Sequence, residues 1–92
     1  MDLARREVKL GGREVHLTPT EYDLLRMLVT HAGKVLTHRQ LLHEVWGIGY
    51  EQETHMLRVN ISNLRRKLEP DPTRPRYIRT EPGVGYRLHV DV

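Results

Sequence analysis

The sequence contains no cysteine and no phenylalanine, and only one serine and one tryptophan. Without cysteine, neither disulfides nor thiolate metal sites can form, which is compatible with a cytosolic home. Without phenylalanine, the core must be built from Leu, Val and Ile, with Trp46 and four tyrosines adding bulk. No apolar run approaches the roughly 20 residues needed to span a bilayer, and no signal-peptide pattern opens the chain. Acidic charge is scarce toward the C-terminus. Residues 58–92 hold eight of the fifteen Lys and Arg but only four of the twelve Asp and Glu. A net charge of +3 is a mild lean toward polyanions. Its concentration in the C-terminal third is the distribution that a nucleic-acid footprint requires. With 92 residues, 38% hydrophobic and 29% charged, the chain has room for one globular domain with a modest core.

Catalytic chemistry finds little to work with. Ser62, the sole serine, stands among cations with no base beside it. Glu51 and Glu53 lie in a polar loop with no apolar pocket to raise a carboxyl pKa. Six histidines invite a metal, but His38 and His43 are five apart on one helix, a poor spacing for sharing an ion. His43-Glu44 lacks the second His that a zinc-protease helix needs three residues after the Glu. Gly83 and Gly85 read as turn residues permitting positive φ, and no helix follows them to make a dinucleotide loop. The expectation is a non-enzymatic protein with no metal and no cofactor.

Residues 6–17 alternate Val8, Leu10, Val15 and Leu17 with polar neighbours around Gly11-Gly12, which predicts a β-hairpin with one buried face. Thr18-Pro19-Thr20-Glu21 is a capping box with proline at the first helical position, predicting a helix over residues 19–32. Thr37-His38-Arg39-Gln40 repeats the signature for a short helix over 38–46, stopped by Gly47. A third helix runs over 54–68 and ends at Pro70. The segments 77–80 and 86–90 read as two strands around the turn 81–85. Trp46 and Tyr86 are expected in the core.

In the third helix Leu57, Ile61, Leu64 and Leu68 fall in a stripe about 60° wide at 100° per residue. The opposite face carries His55, Arg58, Val59, Ser62, Asn63 and Arg66, with no acid. An ordinary solvated face mixes Glu with Lys. Arg65-Arg66-Lys67 also fits a solvated helix end favoured by the helix dipole, but the acid-free face upstream favours DNA. The whole reads as a helix-turn-helix with a wing, a helix apolar on the inside and hydrogen-bonding on the outside being what a major groove accepts.

Four motifs then appear in order: L-T-P-T-E-Y-D-L-L (17–25), V-L-T-H-R-Q-L-L-H-E-V-W-G (35–47), L-R-V-N-I-S-N-L-R-R-K-L (57–68) and T-E-P-G-V-G-Y-R-L (80–88). Together they resemble the OmpR/PhoB-type winged-helix effector domain of two-component response regulators, over about residues 2–90. The resemblance implies an α+β winged helix-turn-helix: an N-terminal β-hairpin or sheet, three helices and a C-terminal hairpin wing. It implies sequence-specific binding to duplex DNA, as dimers on direct-repeat promoter sites, for transcription regulation in the cytoplasm. It also implies a receiver domain ahead of this single domain (residues 1–92), a cognate sensor kinase acting through it, and a further strand before the first residue. The stretch L-E-P-D-P-T-R-P-R points within the family toward regulation of potassium-transport genes.

Carried over residue by residue, His55, Arg58, Val59, Ser62, Asn63 and Arg66 become major-groove candidates and Arg65 a phosphate contact. Arg79, Thr80 and Arg87 match the wing, and His38 with Arg39 the start of the second helix. The loop Gly47, Ile48, Gly49, Tyr50, Glu51, Gln52 and Glu53 matches a surface that touches RNA polymerase. Two departures stand out. His38 replaces an Arg that often contacts phosphate, and Pro82 occupies a wing-tip position where several members carry a minor-groove Arg. The rival reading is a winged-helix protein-interaction module without DNA binding, supported by Tyr50 and the two acids of that loop. An RNA-binding reading lacks the outward aromatics that base stacking needs.

Overall fold

The computed structural model describes residues 7–90. Its elements run β1 (Lys9–Leu10), β2 (Arg13–Glu14), α1 (Pro19–Thr30), β3 (Val35–Thr37), α2 (His38–Trp46), α3 (Thr54–Leu68), β4 (Ile78–Glu81) and β5 (Gly85–Leu88). This is a winged helix-turn-helix with one strand more than the sequence led us to expect. Arg6, where the first hairpin is predicted to begin, and the rest of the resemblance before residue 7 lie outside the described residues.

Gly11 and Gly12 both take positive φ (58° and 81°), as a two-residue I′ turn requires. Leu10 therefore pairs with Arg13 and Lys9 with Glu14. The single buried face predicted for this hairpin is only partly realised. Val8 is buried and Val15 and Leu17 pack against the core, but Leu10, next to the turn, is 41% exposed.

Both predicted capping boxes form. In α1 the Glu21 N–H donates to Thr18 Oγ1 at 3.1 Å and the Thr18 N–H to Glu21 Oε1 at 3.0 Å. In α2 Thr37 and Gln40 exchange the same two bonds at 3.0 and 2.9 Å. These bonds satisfy helix-end donors that would otherwise lack partners, so each helix starts where its threonine stands. Helix α1 ends at Thr30, two residues before the predicted end, and the His31 N–H closes it onto Met27 O at 3.1 Å. Gly47, at φ +105°, stops α2.

The strand that sequence reasoning missed is β3. It pairs antiparallel with β5, which lies between β3 and β4. The wing is thus part of a three-stranded sheet, anchored at the N-terminus of α2. Gly85 makes that pairing possible. A Cβ there would lie 1.8 Å from Leu36 O, so no side chain fits between the strands. This corrects the expectation of positive φ at both wing glycines: Gly83 has it (φ +74°), whereas Gly85 is needed for close backbone approach.

The core gathers one stripe from each helix. Leu24 and Leu28 of α1, Leu41 and Leu42 of α2, and Leu57, Ile61 and Leu64 of α3 are fully buried together with Ile78 of β4. Each such side chain contributes about 1.5–3 kcal/mol by leaving water. Tyr86 is buried as expected, while Trp46 packs at the edge of the core, partly covered. Among the described residues no helix is long and apolar enough to cross a membrane.

Two glycine substitutions separate the two constraints. Gly83→Ala should cost about 1–2 kcal/mol through its backbone conformation alone. Gly85→Ala should cost about 3 kcal/mol or more, because the strands must part. Urea unfolding of both variants checks the order.

Candidate nucleic-acid interface

Helix α3 is fixed by three charged side chains near its C-terminal end. The Arg65 guanidinium donates from Nε and Nη2 to Ile78 O at 3.1 and 2.9 Å, and from Nη2 to Thr80 Oγ1 at 2.8 Å. It also lies over the Tyr86 ring, 5.7 Å from the centroid. Burial lowers its pKa from the ordinary value, with the charges of Tyr86 and Glu69 acting the other way. On the opposite flank of the helix, Lys67 Nζ donates to Glu21 Oε1, joining α3 to the capped start of α1. Just past the helix, buried Glu69 accepts from the N–H groups of Arg76 (2.8 Å), Tyr77 (3.0 Å) and Ile78 (2.8 Å). That carboxylate sets where β4 begins.

The run Arg65-Arg66-Lys67 therefore splits three ways. Arg65 faces the wing, Lys67 faces α1, and Arg66 alone points away from the fold. Sequence reasoning gave Arg65 to phosphate; the structure spends its guanidinium fork on the wing. A lone Arg in a basic run carries no local signal of such a contact, since its acceptors stand 13 and 15 residues away. Glu69 and the Lys67 link were missed for the same reason.

The outward face of α3 brings together His55, Arg58, Val59 and Arg66, all exposed, with Ser62 and Asn63 half-buried beside them. Arg66 Nη2 donates to Ser62 Oγ at 3.2 Å, an i, i+4 pair along the face. No carboxylate pairs with Arg58 or Arg66 among the described residues.

The wing residues divide between two faces. Thr80 lies opposite Tyr86 on the side that meets Arg65. Arg79 lies opposite Arg87 on the other side, where Arg87 Nε pairs with Glu81 Oε1 at 3.1 Å. That ion pair uses part of a cation matched to the wing. Pro82 is exposed in the turn. At the start of α2, Arg39 is exposed, whereas the half-buried His38 ring packs edge-on against Tyr86, centroids 5.5 Å apart.

The loop between α2 and α3 is largely exposed. Ile48 is 85% exposed and Tyr50 44% exposed. Gly47 and Gly49 turn the chain with φ of 105° and 98°. Backbone N–H groups of Glu51 and Gly49 hold the Glu51 carboxyl below its ordinary pKa. Gln52 and Glu53 are exposed.

A family model described as "Transcriptional regulatory protein, C terminal" matches residues 12–88. The chain belongs to this family. This OmpR/PhoB-type domain is 54% identical over 88 residues to the KDP operon transcriptional regulatory protein KdpE of Escherichia coli K12, covering 96% of this chain and 39% of that protein. It is 53% identical to KdpE of Mycobacterium tuberculosis H37Rv over the same shares. The chain thus spans about two-fifths of the length of these curated relatives, 39% in each. Among solved structures it is similar to the RstA DNA-binding domain of Klebsiella pneumoniae in complex with the RstA box, at TM-score 0.87 and 36% identity, covering 96% of this chain and 87% of that one.

Two measurements test how the regulatory domain holds α3. Arg65→Lys keeps the charge but loses the planar fork, so it should destabilise nearly as much as Arg65→Ala, by about 2–3 kcal/mol. Faster amide exchange in β4 of both variants, without DNA, is the accompanying signature. A Lys variant as stable as the native chain would show that charge alone suffices.

The second concerns Glu21. Burial pushes its pKa up, but the Lys67 ammonium and the Thr18 hydrogen bonds outweigh this and hold it below the ordinary carboxylate value. A depressed folded-state pKa stabilises above the unfolded value, and that stability is lost as pH falls through the folded one. Glu21→Gln retains the cap, as Gln40 shows in α2, and removes the charge. Urea midpoints measured from neutral to acidic pH should fall less steeply for this variant.

Proposed function

We propose that the chain binds duplex DNA sequence-specifically, as the output domain of a phosphorelay response regulator that controls transcription. The observation that carries this reading is the outward face of α3, where Arg58 and Arg66 flank hydrogen-bonding side chains and meet no carboxylate among the described residues. An α-helix with such a face fits the major groove and leaves its apolar stripe on the core. Arg39 and Arg79 would add phosphate contacts that fix register. The similarity to the RstA DNA-binding domain, solved in complex with the RstA box, supports DNA binding. The domain acts by binding and not by catalysis.

In the whole protein, a receiver domain addressed by a sensor kinase would precede this one and bring two copies onto direct-repeat promoter sites. The similarity to two KdpE proteins favours potassium-transport genes as targets, in the cytoplasm. The exposed Ile48 and Tyr50 support a protein contact at Gly47–Glu53, for which RNA polymerase is the partner we assign. Those two side chains also favour the second reading, a protein-interaction module without DNA binding.

Binding to random duplex DNA across a salt series decides between the readings. The DNA-binding domain should show log affinity falling linearly with log salt, by about 0.9 per phosphate neutralised. Arg58→Ala with Arg66→Ala should flatten that slope and weaken binding. A native chain with no measurable duplex affinity at low salt would leave the interaction module standing.

A further inference from the structure

We infer that Val59 and Asn63 form the base-reading pair of α3 and select neighbouring A·T base pairs. The inference rests on the major-groove reading above and adds what that groove contains. Phosphate oxygens attract Arg58 and Arg66 anywhere along a duplex, and on a base edge an Arg fork reads guanine, so neither cation selects A·T. Ser62 is already engaged by Arg66. Val59 and Asn63 have no comparable use.

Val59 is 43% exposed on a face otherwise made for polar contact. It carries neither donor nor acceptor, so it gains by entering a groove only where an apolar group awaits it. The thymine C5-methyl is the apolar group on the major-groove edge. Asn63 makes no hydrogen bond among the described residues. Asn60, one turn earlier, differs: its amide donates to Met56 O at 2.9 Å and is spent on its own helix. Asn63, half-buried on this face, thus keeps both its C=O and its NH2 for a ligand. An acceptor and a donor side by side match adenine, which shows N7 and N6–H2 there; guanine shows two acceptors and cytosine a donor.

The spacing suits the pair. Four residues apart on a helix, the two side chains sit about 6 Å apart along the axis and about 40° apart around it, on one ridge. That is less than two base-pair steps of about 3.4 Å. Their direction is fixed as well. With Leu57 at zero, Arg65 projects at about 80° and Lys67 at about 280°, and Val59 and Asn63 fall between them at about 200° and 240°. The two internal anchors hold this ridge outward before any ligand arrives.

Selection of duplexes from a randomised pool by the native chain, Asn63→Ala and Val59→Ser tests the pair, with thermal midpoints confirming that both surface variants stay folded. The native chain should select a site containing an adenine next to a thymine. Asn63→Ala should lose about 5- to 150-fold discrimination at the adenine position and little elsewhere. Replacing that adenine by 7-deazaadenine should weaken the native chain and leave Asn63→Ala unchanged. Replacing the neighbouring thymine by deoxyuridine should weaken the native chain about fourfold and Val59→Ser much less. If Asn63→Ala selects the native site unaltered, or binds all sequences uniformly more weakly, the pair is overturned while duplex binding stands. If the native chain binds no duplex, both readings fall together.

Discussion

The rotational setting of α3 about its own axis is the constraint on which the interface depends. Hydrophobic burial of Leu57, Ile61, Leu64 and Leu68 places one stripe inward, but a greasy stripe tolerates some roll. Directional bonds on both flanks remove that freedom. The Arg65 fork grips a backbone carbonyl of β4, and Lys67 meets a carboxylate already tied into a helix cap. Desolvating these charges costs free energy, which the three hydrogen bonds of Arg65 and the ion pair of Lys67 offset. The outcome is a helix whose presented face is defined by what its neighbours hold.

What was legible in the sequence was local chemistry. Thr18-Glu21 and Thr37-Gln40 announce helix starts because a capping box closes within four residues. Gly47 and Pro70 mark ends for equally local reasons, and the stripe of α3 follows from helical periodicity alone. The outward set His55, Arg58, Val59, Ser62, Asn63 and Arg66 followed from the same wheel. What stayed hidden depends on partners distant in the chain. Val35-Leu36-Thr37 is too short to signal a strand, and becomes one only because β5 returns beside it. Gly85 looks like a turn glycine until Leu36 O is seen against it. Leu10 obeys the alternation of its hairpin and is nonetheless left exposed.

Charge counting shows the same limit. The C-terminal third is rich in cations, yet Arg65, Lys67 and Arg87 each have an internal acceptor. Net charge thus overstates how much positive surface a ligand meets. Pattern was the better guide, because an acid-free face stays acid-free only if no carboxylate from another element reaches it. His38 illustrates a related substitution of roles: where an extended cation is familiar at the start of α2, a ring packed on Tyr86 joins that helix to the sheet.

Thr37 belongs at once to β3, where it faces Gly85, and to α2, whose first turn it caps. No loop separates the two elements, and the His38 N–H reaches straight across to Val84 O in the wing turn. Wing and helix-turn-helix consequently share a joint without slack. A double helix spanning both would find their separation already set, and any misfit in groove width or curvature would be borne by the nucleic acid. Sequences that bend or narrow cheaply would then be favoured at steps no side chain touches.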